Sequence, residues 1–408
     1  MKILVNAVSA KLGGAATYIR NLAGSLLEQA RAGEEFVFVV PPERAREIPA
    51  TDSRLRVVAD GAAGGSYARR LWWDQVGLRR MLEREQPDVL FSSANFALLA
   101  CPCPQVLLVR IPIYFSREYL QQVLPSKSAS FRAETALRRW LVCRSVGAAD
   151  CVVTPSAAML EDLRQFVKLD ESHARVNSYG VPRARLAQQI ARLKSARGQQ
   201  TVPRPARILW VSHYADHKNL ATLLRAAEIL KQQNVSFELQ LTLDPWRQDG
   251  QHTRMPQEEL DLLRRLDGTV RTIGVLGYDA TWRAYEQVDI FVFPSLCESF
   301  GHPLVEAMAA GLPIVASDIA VHREICGDAG SYFPVLDAQA LAAQLGALIR
   351  NPALRQELAA RGSHRVEQFL WEDHVERLLG LLREMAASRA ARGPARRTGR
   401  KAVRLPAH

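Results

Sequence analysis

Residues Phe293–Gly330 read FPSLCESFGHPLVEAMAAGLPIVASDIAVHREICGDAG, and this stretch decides the fold of the second half of the chain. It begins with the apolar end of a strand, breaks at Pro294 and Ser295, and restarts as a helix near Pro303. Proline suits the first position of a helix, because its missing amide hydrogen has no partner there. A buried strand followed at once by a helix is typical of a parallel sheet covered by helices.

Two carboxylates flank the break in this stretch. Glu298 precedes Gly301, and Glu306 follows it in the first turn of the predicted helix. The turn would expose the backbone amides of Ser299, Phe300 and Gly301, and a glycine lets a ligand come close to the backbone. Taken singly, Glu306 fits as compensation for the helix dipole and Glu298 as a solvated loop residue. Together with the glycine between them, they predict a site for a charged, hydroxyl-rich ligand.

Short apolar runs alternate with helical patterns along the chain. In the first half we predict strands at residues 2–7, 36–40, 88–91, 105–109 and 151–154. In the second half we predict strands at residues 208–211, 237–243, 270–273, 290–293 and 314–316. This alternation predicts an α/β fold with two doubly wound, Rossmann-like domains. Since ligands bind outside the carboxyl ends of such strands, two domains facing a central cleft would bring two substrates together.

The alternation is interrupted at residues 179–182, where a polar, basic helical pattern takes over. We therefore expect an N-terminal domain at residues 1–182, a connector at residues 183–206, and a C-terminal domain at residues 207–370. A further helix is expected at residues 371–385, and a basic, disordered tail at residues 386–408.

Basic charge is concentrated in this tail. The net charge of the chain is +11, and seven Lys or Arg residues lie in the tail, which leaves +4 for all other residues. The tail is either a solvated arm or a segment attracted to an anionic membrane, where each Lys or Arg contributes about 1 kcal/mol. Nucleic acid is not expected as a partner, because no aromatic residues are interleaved with the charge.

Composition argues against several other classes of protein. No apolar run reaches the roughly 18 residues of a membrane-spanning helix, and we expect a cytoplasmic protein. The six cysteines form no Cys-x-x-Cys pair, so we expect reduced thiols and no metal site. The chain has no GxGxxG fingerprint, no P-loop motif and no GxSxG elbow, which argues against dinucleotide, P-loop and α/β-hydrolase chemistry.

Three further features suggest contacts with a ligand or a surface. Lys218 stands where a predicted strand turns into a helix, which suits a phosphate, although a single lysine at such a place is as a rule a surface residue. Gly13 and Gly14 follow the first strand and fit a backbone that approaches a ligand. The basic, aromatic stretches at residues 67–84 and 131–144 would place their tryptophans either on a bilayer surface or in the core.

The run PSLCESFGHPLVEAMAAGLPIVAS, which starts at Pro294, resembles the signature of glycosyltransferase family 4, whose architecture is GT-B. Supporting matches are Lys218-Asn219, the run ADCVVTPS from Ala149, the run YGV from Tyr179, and Gly13-Gly14. The resemblance covers nearly everything before about residue 383. It implies transfer of a sugar from a nucleoside diphosphate sugar, a UDP- or GDP-sugar, with retention at the anomeric carbon and without a catalytic metal or other cofactor.

The resemblance also implies roles for the residues at the break. Glu306 would hold the ribose of the donor, and Glu298 would lie beside the transferred sugar. Lys218 would hold the diphosphate together with the amides of Phe300 and Gly301, next to Ser299. The donor would thus be held mainly by the second domain.

Four other residues receive roles by the same resemblance. The backbone around Val275 and Leu276 would meet the nucleotide base. Gly13 and Gly14 would let their loop approach both donor and acceptor. The nucleotide sugar and a glycan or lipid-linked acceptor are therefore the expected partners, in bacterial surface polysaccharide synthesis.

Two positions depart from the family pattern. His213 stands five residues before Lys218, where many members have an arginine, and would grip a diphosphate more weakly at neutral pH. Arg110 follows the predicted strand at residues 105–109, where many members have a histidine. A guanidinium is always charged and cannot act as a general base, so Arg110 would instead bind an anionic acceptor or the donor phosphate.

The sequence therefore predicts a retaining glycosyltransferase in the cytoplasm, with the inner face of the membrane as a further partner through its basic helices or its tail. Two alternatives stay open. One is a catalytically silent protein that binds nucleotide sugars, which the departures at His213 and Arg110 favour. The other is an epimerase or phosphorolytic enzyme of the same fold.

Overall fold

The computed structural model describes residues 1–10, 13–48, 52–61, 67–196, 204–245 and 255–392. The chain divides into two compact units. The first unit comprises Met1–Phe115, Lys127–Ser178 and the chain from Glu372 onward. The second unit comprises Ser116–Ser126 and Tyr179–Trp371.

In the described part of the first unit, seven strands form one parallel sheet in the order β3-β2-β1-β4-β5-β6-β7. The strands are β1 (Lys2–Asn6), β2 (Glu35–Val40), β3 (Leu55–Ala59), β4 (Val89–Ser92), β5 (Gln105–Leu108), β6 (Cys151–Thr154) and β7 (Ala174–Val176). The order of the strands reverses between β1 and β4, in the middle of the sheet. The central strands are apolar and buried on both faces, which is why helices can cover both sides.

In the described part of the second unit, six strands form a parallel sheet in the order β10-β9-β8-β11-β12-β13. The strands are β8 (Ala206–Trp210), β9 (Phe237–Leu241), β10 (Val270–Thr272), β11 (Ile290–Phe293), β12 (Ile314–Ser317) and β13 (Gly330–Phe333). The strand order reverses between β8 and β11. In a doubly wound sheet such a reversal opens a crevice at the carboxyl ends of the strands.

Helices connect the strands of both units. In chain order they are α1 (Gly13–Gln29), α2 (Pro42–Ala45), α3 (Tyr67–Trp72), α4 (Leu78–Glu85), α5 (Arg117–Gln122), α6 (Ala129–Ala148), α7 (Ala157–Arg164), α8 (Arg183–Ala196), α9 (Leu220–Gln232), α10 (Gln257–Arg265), α11 (Tyr278–Glu286), α12 (His302–Ala309), α13 (Ala320–Cys326), α14 (Ala338–Arg350), α15 (Pro352–Arg365) and α16 (Trp371–Arg392). A π-helical turn, Trp73–Gly77, joins α3 to α4. Ser156 caps α7, as its hydroxyl oxygen accepts a hydrogen bond from the amide of Met159 at 3.1 Å.

The prediction of two doubly wound, Rossmann-like α/β domains is confirmed. Three strands, β3, β7 and β13, were not predicted, and all three lie at the edge of a sheet. Edge strands are only partly covered, so β3 and β13 contain half-buried residues and lack the continuous apolar run that identifies a central strand.

Two segments near the domain boundaries differ from the expected bounds. Helix α8 lies within the expected helical connector and belongs to the second unit, where Arg185 pairs with Asp279 at 2.7 Å. Helix α16 continues to Arg392, beyond the end expected at residue 385. Within the first unit, Arg383 on this helix pairs with Glu34 at 2.8 Å. The remainder of the predicted tail, residues 393–408, lies outside the described residues.

None of the described helices combines the length and the apolar character needed to span a bilayer.

Candidate functional site

The second unit gathers polar side chains where β8 and β11 end. The two strands are hydrogen-bonded neighbours at the point where the strand order reverses. The loop from Val211 leads from β8 to α9, and the loop from Pro294 leads from β11 to α12. Because the strands are parallel, both loops leave the same edge of the sheet, which is where ligands bind in such folds.

Lys218 and Glu298 form an ion pair between these two loops. The Nζ atom of Lys218 lies 2.6 Å from Oε1 of Glu298, and each side chain is only 12% exposed. Burial by itself raises the pKa of Glu298, but the charge of Lys218, the neighbouring His217 and the hydrogen bond from Lys218 together outweigh it, and the pKa lies below its ordinary value. The pair is therefore an ammonium and a carboxylate held together in a largely dry environment.

Backbone and side-chain hydrogen bonds fix the two loops to each other. The amide of Leu296 donates to the carbonyl of His217 at 2.7 Å. The side-chain amide of Asn219 donates to the carbonyl of Pro294 at 3.1 Å, and its oxygen accepts from Thr222 Oγ1 at 2.7 Å. Asn219 has a φ of +55°, a conformation that asparagine tolerates better than most residues. The Lys-Asn pair thus combines the cation with the residue that anchors its loop.

Ser317 and His322 support the loop from behind. The Ser317 hydroxyl donates to the carbonyl of Ser295. The Nδ1 atom of His322 lies 2.9 Å from the carbonyl of Ser317, so Nδ1 carries the proton and Nε2 the lone pair. Burial lowers the pKa of His322 to about 4, so the ring is neutral at pH 7. Nε2 has no hydrogen-bond partner among the described residues.

The His322 ring also lies against Phe293, at 5.2 Å between ring centroids, and Nζ of Lys218 lies 5.6 Å from the centroid of the same phenyl ring. Neither Ser317 nor His322 was predicted from the sequence as part of the site. The sequence contains one indication of a role for Ser317, which is a polar residue at the end of the apolar run IVAS.

Gly301 makes the turn into α12. Its φ is +89°, a left-handed conformation that glycine adopts without steric cost. A Cβ atom at this position would lie 3.0 Å from Cδ1 of Leu304 and 3.4 Å from Cε1 of Phe293. The helix that follows directs its amino end, and hence the positive end of its dipole, toward this turn.

The YGV run supports Phe300, the residue before this turn. The ring of Tyr179 contacts the ring of Phe300 edge-on at 5.3 Å and stacks on His302 at 4.7 Å. A Cβ atom on Gly180 would lie 2.4 Å from the backbone of Phe369, so only glycine fits there. The amide of Val181 donates to the carbonyl of Phe369 at 3.0 Å. The run therefore has a packing role inside the second unit.

Glu306 has a partner that the sequence did not reveal. The hydroxyl of Tyr285, on α11, donates to Oε2 of Glu306 at 2.9 Å. Burial raises the pKa of Glu306 above its ordinary value, and the hydrogen bond from Tyr285 opposes this shift. Tyr285 is fully buried within an apolar helix face, which in a sequence reads as an ordinary core residue.

The remaining predicted residues of the second unit lie on loops that leave the same edge of the sheet. Val275 is 64% exposed and Leu276 is half-buried, in the loop between β10 and α11. His213 is exposed, in the loop after β8. No group of three or more His, Cys, Asp or Glu side chains that could hold a metal ion occurs within the described ranges.

The first unit contains the other predicted residues. Gly13 and Gly14 begin α1, the helix that follows β1. Arg110 follows β5, and its amide donates to Oδ1 of Asn95 at 2.7 Å. The guanidinium of Arg110 lies 5.5 Å from the ring centroid of Tyr18. Among the residues the structure describes, it makes no ion pair.

Comparison with known proteins identifies the family. The profile described as Glycosyltransferase Family 4 matches residues 12–185, and the profile described as Glycosyl transferases group 1 matches residues 194–365. The fold is that of the GT-B class, in which each of two α/β units contains a parallel sheet. The chain belongs to glycosyltransferase family 4.

Individual relatives match only part of their own length. Over 122 residues the chain is 35% identical to the phosphatidyl-myo-inositol mannosyltransferase of Mycobacterium leprae. The matched region covers 29% of this chain and 33% of that protein. Over 165 residues it is 28% identical to O-antigen chain mannosyltransferase B of Escherichia coli, covering 40% of this chain and 42% of that protein. The chain thus spans less than half the length of these two curated relatives.

Solved structures match over nearly the whole chain. HepE of Anabaena, solved in complex with UDP, superposes with a TM-score of 0.66 at 17% identity. The match covers 94% of this chain and 100% of that one.

Proposed function

We propose that the protein transfers a glycosyl unit from a nucleoside diphosphate sugar to a hydroxyl group of a glycan or lipid-linked acceptor. The observation that carries this proposal is the Lys218–Glu298 ion pair beside the amino end of α12, at the reversal of the strand order. Membership of the family and the names of the two mannosyltransferase relatives support it. The UDP found in HepE supports a nucleoside diphosphate, with UDP or GDP as the carrier.

The diphosphate would bind to Lys218 and to the amides of Phe300 and Gly301, close to Ser299. A helix amino terminus contributes only about 0.3–2 kcal/mol to anion binding, which is little for a diphosphate. A cation placed where negative charge develops contributes several kcal/mol more. Lys218 is already desolvated against Glu298, so donor binding would exchange one anionic partner of the ammonium group for another.

The nucleoside would be held further along the same sheet edge. Glu306 would accept hydrogen bonds from the ribose hydroxyls, and Tyr285 would orient its carboxylate. The backbone of Val275 and Leu276 would meet the base. His213, exposed on the loop after β8, would add a weaker contact to the diphosphate.

The chemical step would proceed with retention and without a metal ion. The bond between the anomeric carbon and the donor phosphate oxygen breaks, and the bond from the acceptor oxygen to the same carbon forms on the same face. The acceptor proton passes to the departing phosphate oxygen, so no side chain has to act as a general base. Lys218 stabilises the phosphate charge as it grows, and Glu298 lies beside the transferred sugar.

The first unit would bind the acceptor. Gly13 and Gly14 would leave the backbone at the start of α1 open to a substrate. Arg110 would bind an anionic group of a substrate, since a guanidinium cannot take up the acceptor proton at neutral pH. We place the enzyme in the cytoplasm, at the inner face of the membrane.

A thermal-shift screen of nucleoside diphosphates and their sugars tests the proposal. We expect UDP or GDP, and one of its sugars, to raise the melting temperature of the protein, and the Glu306→Ala variant to lose most of this rise. Release of nucleoside diphosphate with a glycan or lipid acceptor should follow. Binding without turnover on a broad acceptor panel would instead identify a silent nucleotide-sugar-binding protein, and no shift with any nucleotide would contradict the proposal.

A further inference from the structure

Helix α6 of the first unit exposes large apolar side chains. Among the residues the structure describes, eight large hydrophobic side chains are exposed, and three of them, Phe131, Leu137 and Trp140, lie on α6. Leu137 is 53% exposed and Trp140 is 46% exposed. Single exposed hydrophobic residues are ordinary, but a group of them on one element marks an interaction surface.

Two of these three residues, Leu137 and Trp140, lie on one helical face, and Phe131 does not. Four residues of α6 are exposed at spacings of three and four, and they are Ala133, Ala136, Leu137 and Trp140. Residues with this spacing lie on one side of a helix. The opposite side carries the buried residues Thr135, Val142 and Val146, which attach α6 to the first unit. We call the four exposed residues the α6 face.

Basic side chains lie at the ends of this face. The guanidinium of Arg144 is exposed and lies 5.9 Å from the centroid of the Trp140 ring, and Arg132 is exposed one turn before Ala136. Glu134 is the one acidic residue in α6, and it pairs with Arg138. The surroundings of the α6 face are therefore positively charged.

The other basic, aromatic stretch, residues 67–84, is arranged differently. Trp73 is buried, and its indole nitrogen donates to Asp60 at 2.9 Å. Arg70 pairs with the buried Asp74 at 2.8 Å. Trp72 of that stretch is 55% exposed, but Arg70, Trp73 and Asp74 make contacts inside the first unit. Helix α6 differs because Leu137 and Trp140 are both exposed on one face.

We propose that the α6 face rests on an anionic lipid bilayer. Leu137 and Trp140 would enter the boundary between headgroups and acyl chains, where tryptophan is enriched, and Arg132 and Arg144 would meet lipid phosphates. Charge complementarity selects an anionic lipid surface as the occupant, and the convex shape of a single helix suits a flat bilayer. This docking surface goes beyond the proposed transferase activity and does not depend on it.

Vesicle binding of the full chain tests the surface. Vesicles of phosphatidylglycerol mixed with phosphatidylcholine are compared with pure phosphatidylcholine vesicles by co-sedimentation. We expect Leu137→Glu/Trp140→Glu to lower partitioning into the anionic vesicles by at least about tenfold, equivalent to about 1.4 kcal/mol. Leu99→Glu is the matched control, since Leu99 is 43% exposed on the same unit but not on α6. Equal losses for both variants, or none for either, would overturn the proposal.

A fluorescent label gives a second test that does not rely on a double substitution. All six native cysteines are buried, so an environment-sensitive dye attached after Ala136→Cys labels the α6 face selectively. We expect a blue shift of its emission with anionic vesicles and none for the dye attached after Leu99→Cys. If the labelled protein sediments with vesicles while the Ala136→Cys dye does not shift, another part of the chain binds lipid and the proposal is wrong. A shift caused by an added protein but not by vesicles would also overturn it.

Discussion

Nζ of Lys218 and Oε1 of Glu298 lie 2.6 Å apart, on loops that leave two neighbouring strands, so the protein holds a largely buried cation against a carboxylate. In this contact the charges of the two side chains balance each other. A ligand with a diphosphate would replace the carboxylate as the partner of the ammonium group. Glu298 would then be left facing the sugar, a position in which its charge can act on the donor.

Replacing Lys218 should abolish most of the activity. We expect Lys218→Met to lower turnover by about a hundredfold or more, because a group that stabilises charge in a transition state is worth roughly that factor. Initial rates of nucleoside diphosphate release measure the effect. Lys231→Met is the control, since Lys231 is an exposed lysine of the same unit whose ammonium group donates to the carbonyl of Arg265 at 2.8 Å. A near-normal rate for Lys218→Met would remove this residue from the site.

Glu306 should contribute mainly to donor affinity. We expect Glu306→Ala to raise the donor dissociation constant about tenfold, which corresponds to about 1.4 kcal/mol. Tyr285→Phe should raise it by a smaller factor, because it removes only the hydrogen bond that orients the carboxylate. Isothermal titration calorimetry with the nucleoside diphosphate gives both values. Unchanged affinity in Glu306→Ala would refute the ribose contact.

Gly301 should not tolerate a side chain. We expect Gly301→Ala to lower stability and donor affinity together, since its φ of +89° is unfavourable for alanine and the added methyl group would press on Leu304. Gly268→Ala is the matched control, because Gly268 has a φ of +77° and open space around its Cβ position. Thermal melting should show the conformational cost in both variants, and only Gly301→Ala should lose affinity. Equal donor affinity in both would mean that the turn does not touch the ligand.

Glu259 should make the stability of the protein depend on pH. Burial raises the pKa of Glu259 from 4.5 to about 7, and one of its oxygens accepts a hydrogen bond from Tyr214 at 3.0 Å. The folded protein therefore keeps a proton that the unfolded chain loses near pH 4.5. The contribution of this group to stability is complete below that pH and is lost as the pH rises through about 7.

We expect Glu259→Gln to remove this loss, so that the variant gains stability relative to the wild type between about pH 5 and 8. Melting temperatures across this range measure it. Glu258→Gln, at the exposed neighbouring position, should keep the pH dependence of the wild type. Parallel curves for all three proteins would show that Glu259 ionises normally.

The central strands could be predicted from the sequence because each is a short apolar run between helical patterns. The strand Ile290–Phe293 and its end before Pro294 could be predicted from these features alone. The edge strands, such as Ala174–Val176, were not, since a half-covered strand of three residues has no distinctive pattern.

The residues of the candidate site could be predicted where they belong to a sequence motif. The run from Pro294 suggested Glu298 and Glu306, and the structure places Lys218 against the first of them. The residues that hold these side chains and their loop in place could not be predicted. Tyr285 reads as a core residue, and the role of His322 depends on a hydrogen bond across two elements that spacing in the sequence does not specify.

The most direct test of the account is a crystal structure of the protein with a bound nucleoside diphosphate. We expect the diphosphate within hydrogen-bonding distance of Lys218 and of the amides of Phe300 and Gly301, with the ribose hydroxyls on Glu306. Nucleotide bound elsewhere, or an empty crevice between the ends of β8 and β11 at a saturating concentration, would contradict it.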